Sequence, residues 1–127
     1  MLTLSVLPTT IAVCKLPLDQ PIPDWSTHGE FFAVLRTPGE LTAVVAEGEV
    51  PPEVMAERGW RALKLEGKFD FALTGILSSV LRPLAEAGVG IFALSTFDTD
   101  YVLVKRESLD RAVEALRAAG HDVRTND

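Results

Sequence analysis

The chain has 127 residues, of which 47% are hydrophobic and 24% charged, with one cysteine. That composition excludes a disordered, collagen-like or disulfide-stapled protein, and the length excludes a large multidomain enzyme while allowing one compact domain or two small ones. The 12 Lys+Arg against 18 Asp+Glu give a formal charge of -6, the wrong sign for holding nucleic acid or an anionic membrane through a general field, so neither is expected as a partner.

Residues 1–13 are apolar enough to resemble a signal peptide, yet they lack a basic segment, carry Pro8, and offer no small-residue cleavage site before Lys15. They read as a strand. Cys14 has no internal disulfide partner, which fits a reducing compartment and makes the cytosol the expected location; in an apolar strand it reads as a small buried hydrophobe. Further along, strands are expected over residues 9–16, 31–36 and 41–46, with short helical turns over 23–26 and 52–56. Residues 37–40, with Pro38 followed by Gly39, form a turn between two strands and not a phosphate loop, because the spaced-glycine motifs are absent. Trp25 and Trp60 suit core or interface anchors.

A composition shift marks the middle of the chain. Residues 1–57 hold two basic and eight acidic residues and seven of the eight prolines, whereas residues 58–127 hold ten of each charge. The expected boundary lies at residues 57–59, separating an N-terminal module over 1–58 from a C-terminal one over 59–127.

In the second half, residues 60–65 (WRALKL) alternate as a half-buried strand that Gly67 ends. From Thr74, the spacing of Ile76, Leu77, Val80, Leu81 and Leu84 predicts an amphipathic helix, stopped by Gly88 and missing one backbone donor at Pro83. Residues 89–94 and 101–104 are apolar runs separated by a polar stretch and read as a hairpin. Ser108 then offers an N-cap and Asp110 a first-turn charge for a helix whose stripe is Leu109, Ala112, Val113 and Leu116, before Gly120. A short strand over residues 121–124 closes the order. Strand, helix, strand, strand, helix, strand is the βαββαβ plan of the ferredoxin-like fold, an α+β antiparallel sheet with both helices on one face. The first half can be read as a worn copy of the same plan, giving two tandem modules.

The segments RGWRALKLEG and DFALTGILSSVLRPLAEAGVGIFALSTFDTDYVLVK, joined by the N-terminal AVCKLP and FFAVLRTPGELTAVVAE, resemble the ACT-domain branch of small bacterial amino-acid-binding proteins. They are similar too to the ACT modules of the eukaryotic cytosolic arginine sensor. This resemblance implies tandem ACT-like modules, a regulatory small-molecule site at a module interface, and no catalysis or cofactor of the chain's own. By position it implies a ligand region at Thr74, Gly75 and Ile76 and at Ser95, Thr96, Phe97, Asp98, Thr99 and Asp100.

The chemistry of those residues is compatible with a free amino acid. Unpaired N–H groups at the helix start after Thr74 attract a carboxylate, and Gly75 lets it approach the backbone. Asp98 and Asp100, with the Ser95, Thr96 and Thr99 hydroxyls, can take an ammonium or a basic side chain, so a cationic amino acid such as arginine or lysine is the ligand to test. Phe97 or Tyr101 would wall the pocket. The same residues also suit an ordinary N-cap, a hairpin turn and packing. His28 and His121 stand in no metal-ligand pattern, and Asp98 with Asp100, the nearest acid and base pair, lacks a catalytic partner; no metal and no enzyme activity are expected. The alternative is an oligomerising interaction module without a small ligand, pairing edge strands in a homodimer. A downstream protein partner fits either reading.

Overall fold

The computed structural model of the chain describes residues 1–70 and 74–125. Residues 71–73, which belong to the DFALTGIL motif, and residues 126–127 lie outside the described residues. The described strands are β1 (Thr3–Leu16), β2 (Phe32–Arg36), β3 (Leu41–Ala46), β4 (Ala56–Leu65), β5 (Ile91–Ser95), β6 (Asp100–Lys105) and β7 (Asp122–Arg124); the helices are α1 (Ile76–Glu86) and α2 (Leu109–Ala118). The chain divides into two compact units, one comprising Met1–Pro8 with Arg61–Asp127 and the other Thr9–Trp60, so that β1 and β4 each contribute to both.

In the unit formed by Met1–Pro8 and Arg61–Asp127, the strands run in the order β7, β1, β4, β6, β5. The expected hairpin is β5–β6, antiparallel from the Ile91 and Val104 pair to the Ser95 and Asp100 pair. One expectation is corrected here. A self-contained βαββαβ module would seat the last strand beside β4, but β1 occupies that place and β7 pairs with β1 in parallel, Thr3 opposite Asp122 and Ser5 opposite Arg124. The reason is apolar surface: β7 has three residues with Val123 alone buried, whereas β1 delivers Leu4 and Val6 to the core. That core joins Leu63 and Leu65 of β4 and Val102 and Val104 of β6 to Val80 and Leu84 of α1 and Ala112, Val113 and Leu116 of α2. Two amphipathic helices thus pack on the sheet of this unit, each through the stripe its three-and-four spacing creates.

Ser108 stands at the N-cap of α2, but its side chain makes no capping hydrogen bond; a short 3-10 turn, Arg106–Ser108, leads in instead. At α1 the N-cap is Gly75 and not Thr74.

In the unit Thr9–Trp60, β3 lies between β2 and β1 and is antiparallel to both. The β2–β3 turn is closed by Thr37, whose N–H donates to the Glu40 carbonyl at 2.9 Å and whose hydroxyl oxygen accepts from the N–H groups of Gly39 and Glu40. The expected helical turn near Pro23 is a 3-10 turn, Asp24–Thr27. The one expected over residues 52–56 is not helical: the Met55 carbonyl accepts from Lys15 N–H at 2.9 Å, β4 begins at Ala56, and a 3-10 turn occupies Glu47–Glu49 instead. A single hydrogen-bonded turn is all that forms there, with Val54 N–H donating to the Pro51 carbonyl at 3.2 Å. Cys14 packs in a separate cluster with Ala12, Leu16, Leu41, Ala43, Val45 and Val50, with Trp25 against it. At 1% exposure it is buried, and burial pushes its thiol up against the opposing pull of the Arg58 charge. A thiol held protonated is a poor nucleophile.

Leu116 is fully buried and Leu35 is 65% exposed, so their truncations separate core packing from surface hydrophobicity. Leu116→Ala is expected to lower unfolding free energy by about 2–5 kcal/mol in urea titration, and Leu35→Ala to change it by less than about 0.5 kcal/mol.

Candidate ligand-binding cleft

The second half of the chain brings three chain ends together. Strand β4 ends at Leu65, α1 starts after Gly75, and the β5–β6 hairpin turns between Ser95 and Asp100. The hairpin tip is built by its own threonines. Thr96 N–H donates to the Thr99 carbonyl at 2.8 Å, the Thr96 hydroxyl donates to the same carbonyl at 3.2 Å and accepts from Thr99 N–H at 3.3 Å. Phe97 and Asp98 are left at the apex.

Two further bonds fasten this tip. The buried Thr99 hydroxyl donates to the Leu65 carbonyl at 2.5 Å, and Phe69 N–H donates to the Asp98 carbonyl at 2.8 Å. These bonds hold the hairpin against the end of β4 and the segment after it. At the other wall, Gly75 has φ of 80°, a left-handed conformation that side chains with a Cβ rarely adopt. A Cβ there would meet no atom within 4 Å, so the backbone angle and not a crowded approach calls for glycine.

Between these elements lies a cleft of about 250 Å³. Of the residues singled out from sequence, Gly75 and Ile76 line it from the helix and Ser95, Thr96, Phe97, Asp98, Thr99 and Asp100 from the hairpin. Thr74 is exposed and is not among the lining residues. Phe69, Asp70, Leu77 and Ser78 line the cleft as well and were missed. For Ser78 the signal was available, because the same helix start that offers the N–H of Ile76 also offers those of Leu77 and Ser78. Leu77 was absorbed into the helical stripe, and nothing local marks Phe69 or Asp70.

The hydroxyls divide by task. Those of Thr96 and Thr99 are engaged with backbone, while Ser95 donates in a short bond to Asp100 Oδ1. Helix geometry leaves the N–H groups of Ile76, Leu77 and Ser78 without intrahelical acceptors; the ladder begins with Ser79 N–H on the Gly75 carbonyl at 3.0 Å. The helix wall therefore carries partial positive charge, and the hairpin wall carries the Asp98 and Asp100 carboxylates. Phe97, 80% exposed, stands at the rim. Among the described residues, no histidine, cysteine or lysine lines the cleft, and no group of three His, Cys, Asp or Glu could hold a metal ion. Also among the described residues, no helix is long and apolar enough to cross a membrane.

Comparison with known proteins bears on this geometry. A family model described as an ACT domain matches residues 55–118, from the residue before β4 to the last residue of α2. The chain belongs to the ACT-domain family. A second family model, described as an N-terminal domain, matches residues 9–53. The crystal structure of an Agobacterium tumefaciens protein is 35% identical, with a TM-score of 0.93 over 99% of this chain and 94% of that one. The human protein called cytosolic arginine sensor for mTORC1 subunit 1 is 34% identical over 98 residues, which is 68% of this ACT-domain chain but 30% of the sensor. The match thus spans 30% of the length of that sensor, and 29% to 59% of the length of other curated relatives. The regulatory subunit of aspartate kinase from Thermus thermophilus, at 13% identity and a TM-score of 0.63 over 92% of this chain and 96% of that one, shares the fold.

Thr99→Val keeps the shape of the residue but leaves the Leu65 carbonyl without its donor. It is expected to lower stability by about 1–3 kcal/mol, read by thermal unfolding followed by circular dichroism.

Proposed function

We propose that this ACT-domain protein is a non-catalytic regulatory module that binds a free cationic amino acid, arginine or lysine, in the cleft between the start of α1 and the β5–β6 hairpin. One observation carries the reading: a helix start with open N–H groups and a pair of aspartates line the same 250 Å³ space. An amino acid carries opposite charges at one end and, when its side chain is basic, a further positive charge at the other. Its carboxylate is suited to the N–H groups of Ile76, Leu77 and Ser78, where the backbone dipoles point outward. Asp98 and Asp100 then take the ammonium or the basic side chain through charge-assisted hydrogen bonds.

The family membership supports a regulatory role, and the likeness to a protein named as an arginine sensor supports the ligand class. In this reading the unit Thr9–Trp60 is a divergent N-terminal ACT-like module, and the working form is a cytosolic homodimer whose state a downstream protein reads. A second reading, an interaction module with no small ligand, is favoured by β5, which ends the strand order and exposes Ile91. An edge strand of that kind can pair with another chain.

A ligand that binds the native state alone raises the melting temperature by mass action. Titration of the purified chain with the twenty amino acids is expected to give a dose-dependent rise for arginine or lysine; a flat response to all twenty favours the interaction module. In calorimetric titration with arginine, Asp100→Ala is expected to weaken binding by about 10–100-fold, because a hydrogen bond to a charged group is lost, and Asp110→Ala, on α2, by less than about twofold. Equal effects of the two substitutions would remove the specific role of Asp100.

A further inference from the structure

Helix α1 has a gap in its hydrogen-bond ladder at one defined place. Pro83 lies inside the helix and has no N–H, so the carbonyl of Ser79, four residues earlier, lacks its helical donor. That carbonyl is instead met by Nε2 of His121 at 2.9 Å. His121 is 8% exposed, and its other ring nitrogen, Nδ1, accepts from Leu2 N–H at 3.1 Å. An accepting ring nitrogen carries no proton, so Nδ1 is the bare nitrogen and Nε2–H is the donor, and a neutral ring satisfies both partners at once. The backbone of His121 is anchored too: its N–H donates to the Leu116 carbonyl of α2 at 3.1 Å, and the next residue, Asp122, donates to the Leu2 carbonyl at 2.9 Å.

Ser79 is the residue through which this clamp meets the cleft. Its N–H bonds the Gly75 carbonyl at 3.0 Å and its hydroxyl donates to the Ile76 carbonyl at 2.7 Å. Gly75 and Ile76 line the cleft. Ser79 is therefore bonded on one side to the first turn of α1 and on the other, through its carbonyl, to a ring that Leu2, the residue before β1, holds at its other nitrogen and whose backbone is bonded to α2.

We propose that His121 is a positioning residue for the cleft: through the carbonyl that Pro83 leaves open, it holds the first turn of α1 in the orientation that presents its N–H groups to a ligand carboxylate. The proposal rests on the binding reading above for its ligand but not for its geometry. A purely structural histidine would be measured by lost stability alone. A positioning histidine acts through Ser79, and its effect disappears when Ser79 gains another donor.

Three substitutions in the 127-residue chain separate the two. His121→Asn retains an acceptor near Nδ1 for Leu2 but cannot reach Ser79; His121→Gln places an amide donor near Nε2 for Ser79; Pro83→Ala gives the Ser79 carbonyl a helical N–H. Amide hydrogen exchange at Ser79 and Val80 is read in each, together with the dissociation constant for L-arginine. His121→Asn is expected to speed exchange at those amides and to weaken arginine binding, each by about fivefold, the scale of one lost hydrogen bond, while His121→Gln stays within about twofold of the unmodified protein. Adding Pro83→Ala to His121→Asn is expected to restore both values, even where the melting temperature stays low. Equal effects of Asn and Gln, or no rescue by Pro83→Ala, would overturn the proposal. If the unmodified protein takes up no arginine, the binding reading fails on its own, and the exchange pattern with its rescue still decides whether His121 holds the turn.

Discussion

The hydroxyl of Thr99 donates to the carbonyl of Leu65, and the geometry of the cleft depends on that bond. Leu65 ends β4, and Thr99 begins the return limb of the β5–β6 turn, 34 residues later. A hairpin tip fastened at one point could still swing, but Phe69 N–H on the Asp98 carbonyl supplies a second point. With the tip held twice, the Asp98 and Asp100 carboxylates face the start of α1 at a set separation. Buried, the Thr99 bond is costly to break, because each partner would be left unsatisfied away from water.

The two walls of the cleft are charged by different means. The hairpin wall uses side chains, while the helix wall uses backbone N–H groups that no helix can satisfy internally. Backbone donors are already ordered, so they lose little entropy on meeting a ligand, and preorganisation of this kind favours affinity. The left-handed Gly75 sets where that wall begins, and the Pro83, Ser79 and His121 arrangement bears on how it is tilted. Proline in a helix interior is ordinarily a loss, yet the carbonyl it frees is here a point of attachment between elements distant in sequence.

The halves of the chain differ in how plainly their residues announce their structure. In the second half, three-and-four spacing, terminal glycines and short β-branched runs mark α1, β5, β6 and α2 almost to their ends. In the first half, β2 and β3 hold no proline and are marked as plainly, whereas not all of the proline-bearing segments that join the strands are. The turn over residues 37–40 was legible because Pro38, Gly39 and Thr37 act locally. The segment over residues 52–56 was not, because the Met55 carbonyl is claimed by Lys15, a partner 40 residues away, and no spacing within the segment foretells it. Of the cleft residues, those on the helix start and hairpin were readable from local chemistry, whereas Phe69 and Asp70 line it because the hairpin folds back onto them.

By itself the sequence determined an α+β chain with amphipathic helices, antiparallel strands and a polar turn of aspartates, since each follows from bonds and solvent preferences over a few residues. Only the tertiary structure decided that β1 stands between β4 and β7, because the choice turns on which strand has more apolar surface to bury and not on either strand alone. The same holds for His121, which reads as an isolated histidine in the chain. Its ring meets Ser79, 42 residues back, and Leu2, 119 residues back, contacts that exist once the sheet and both helices have closed around it.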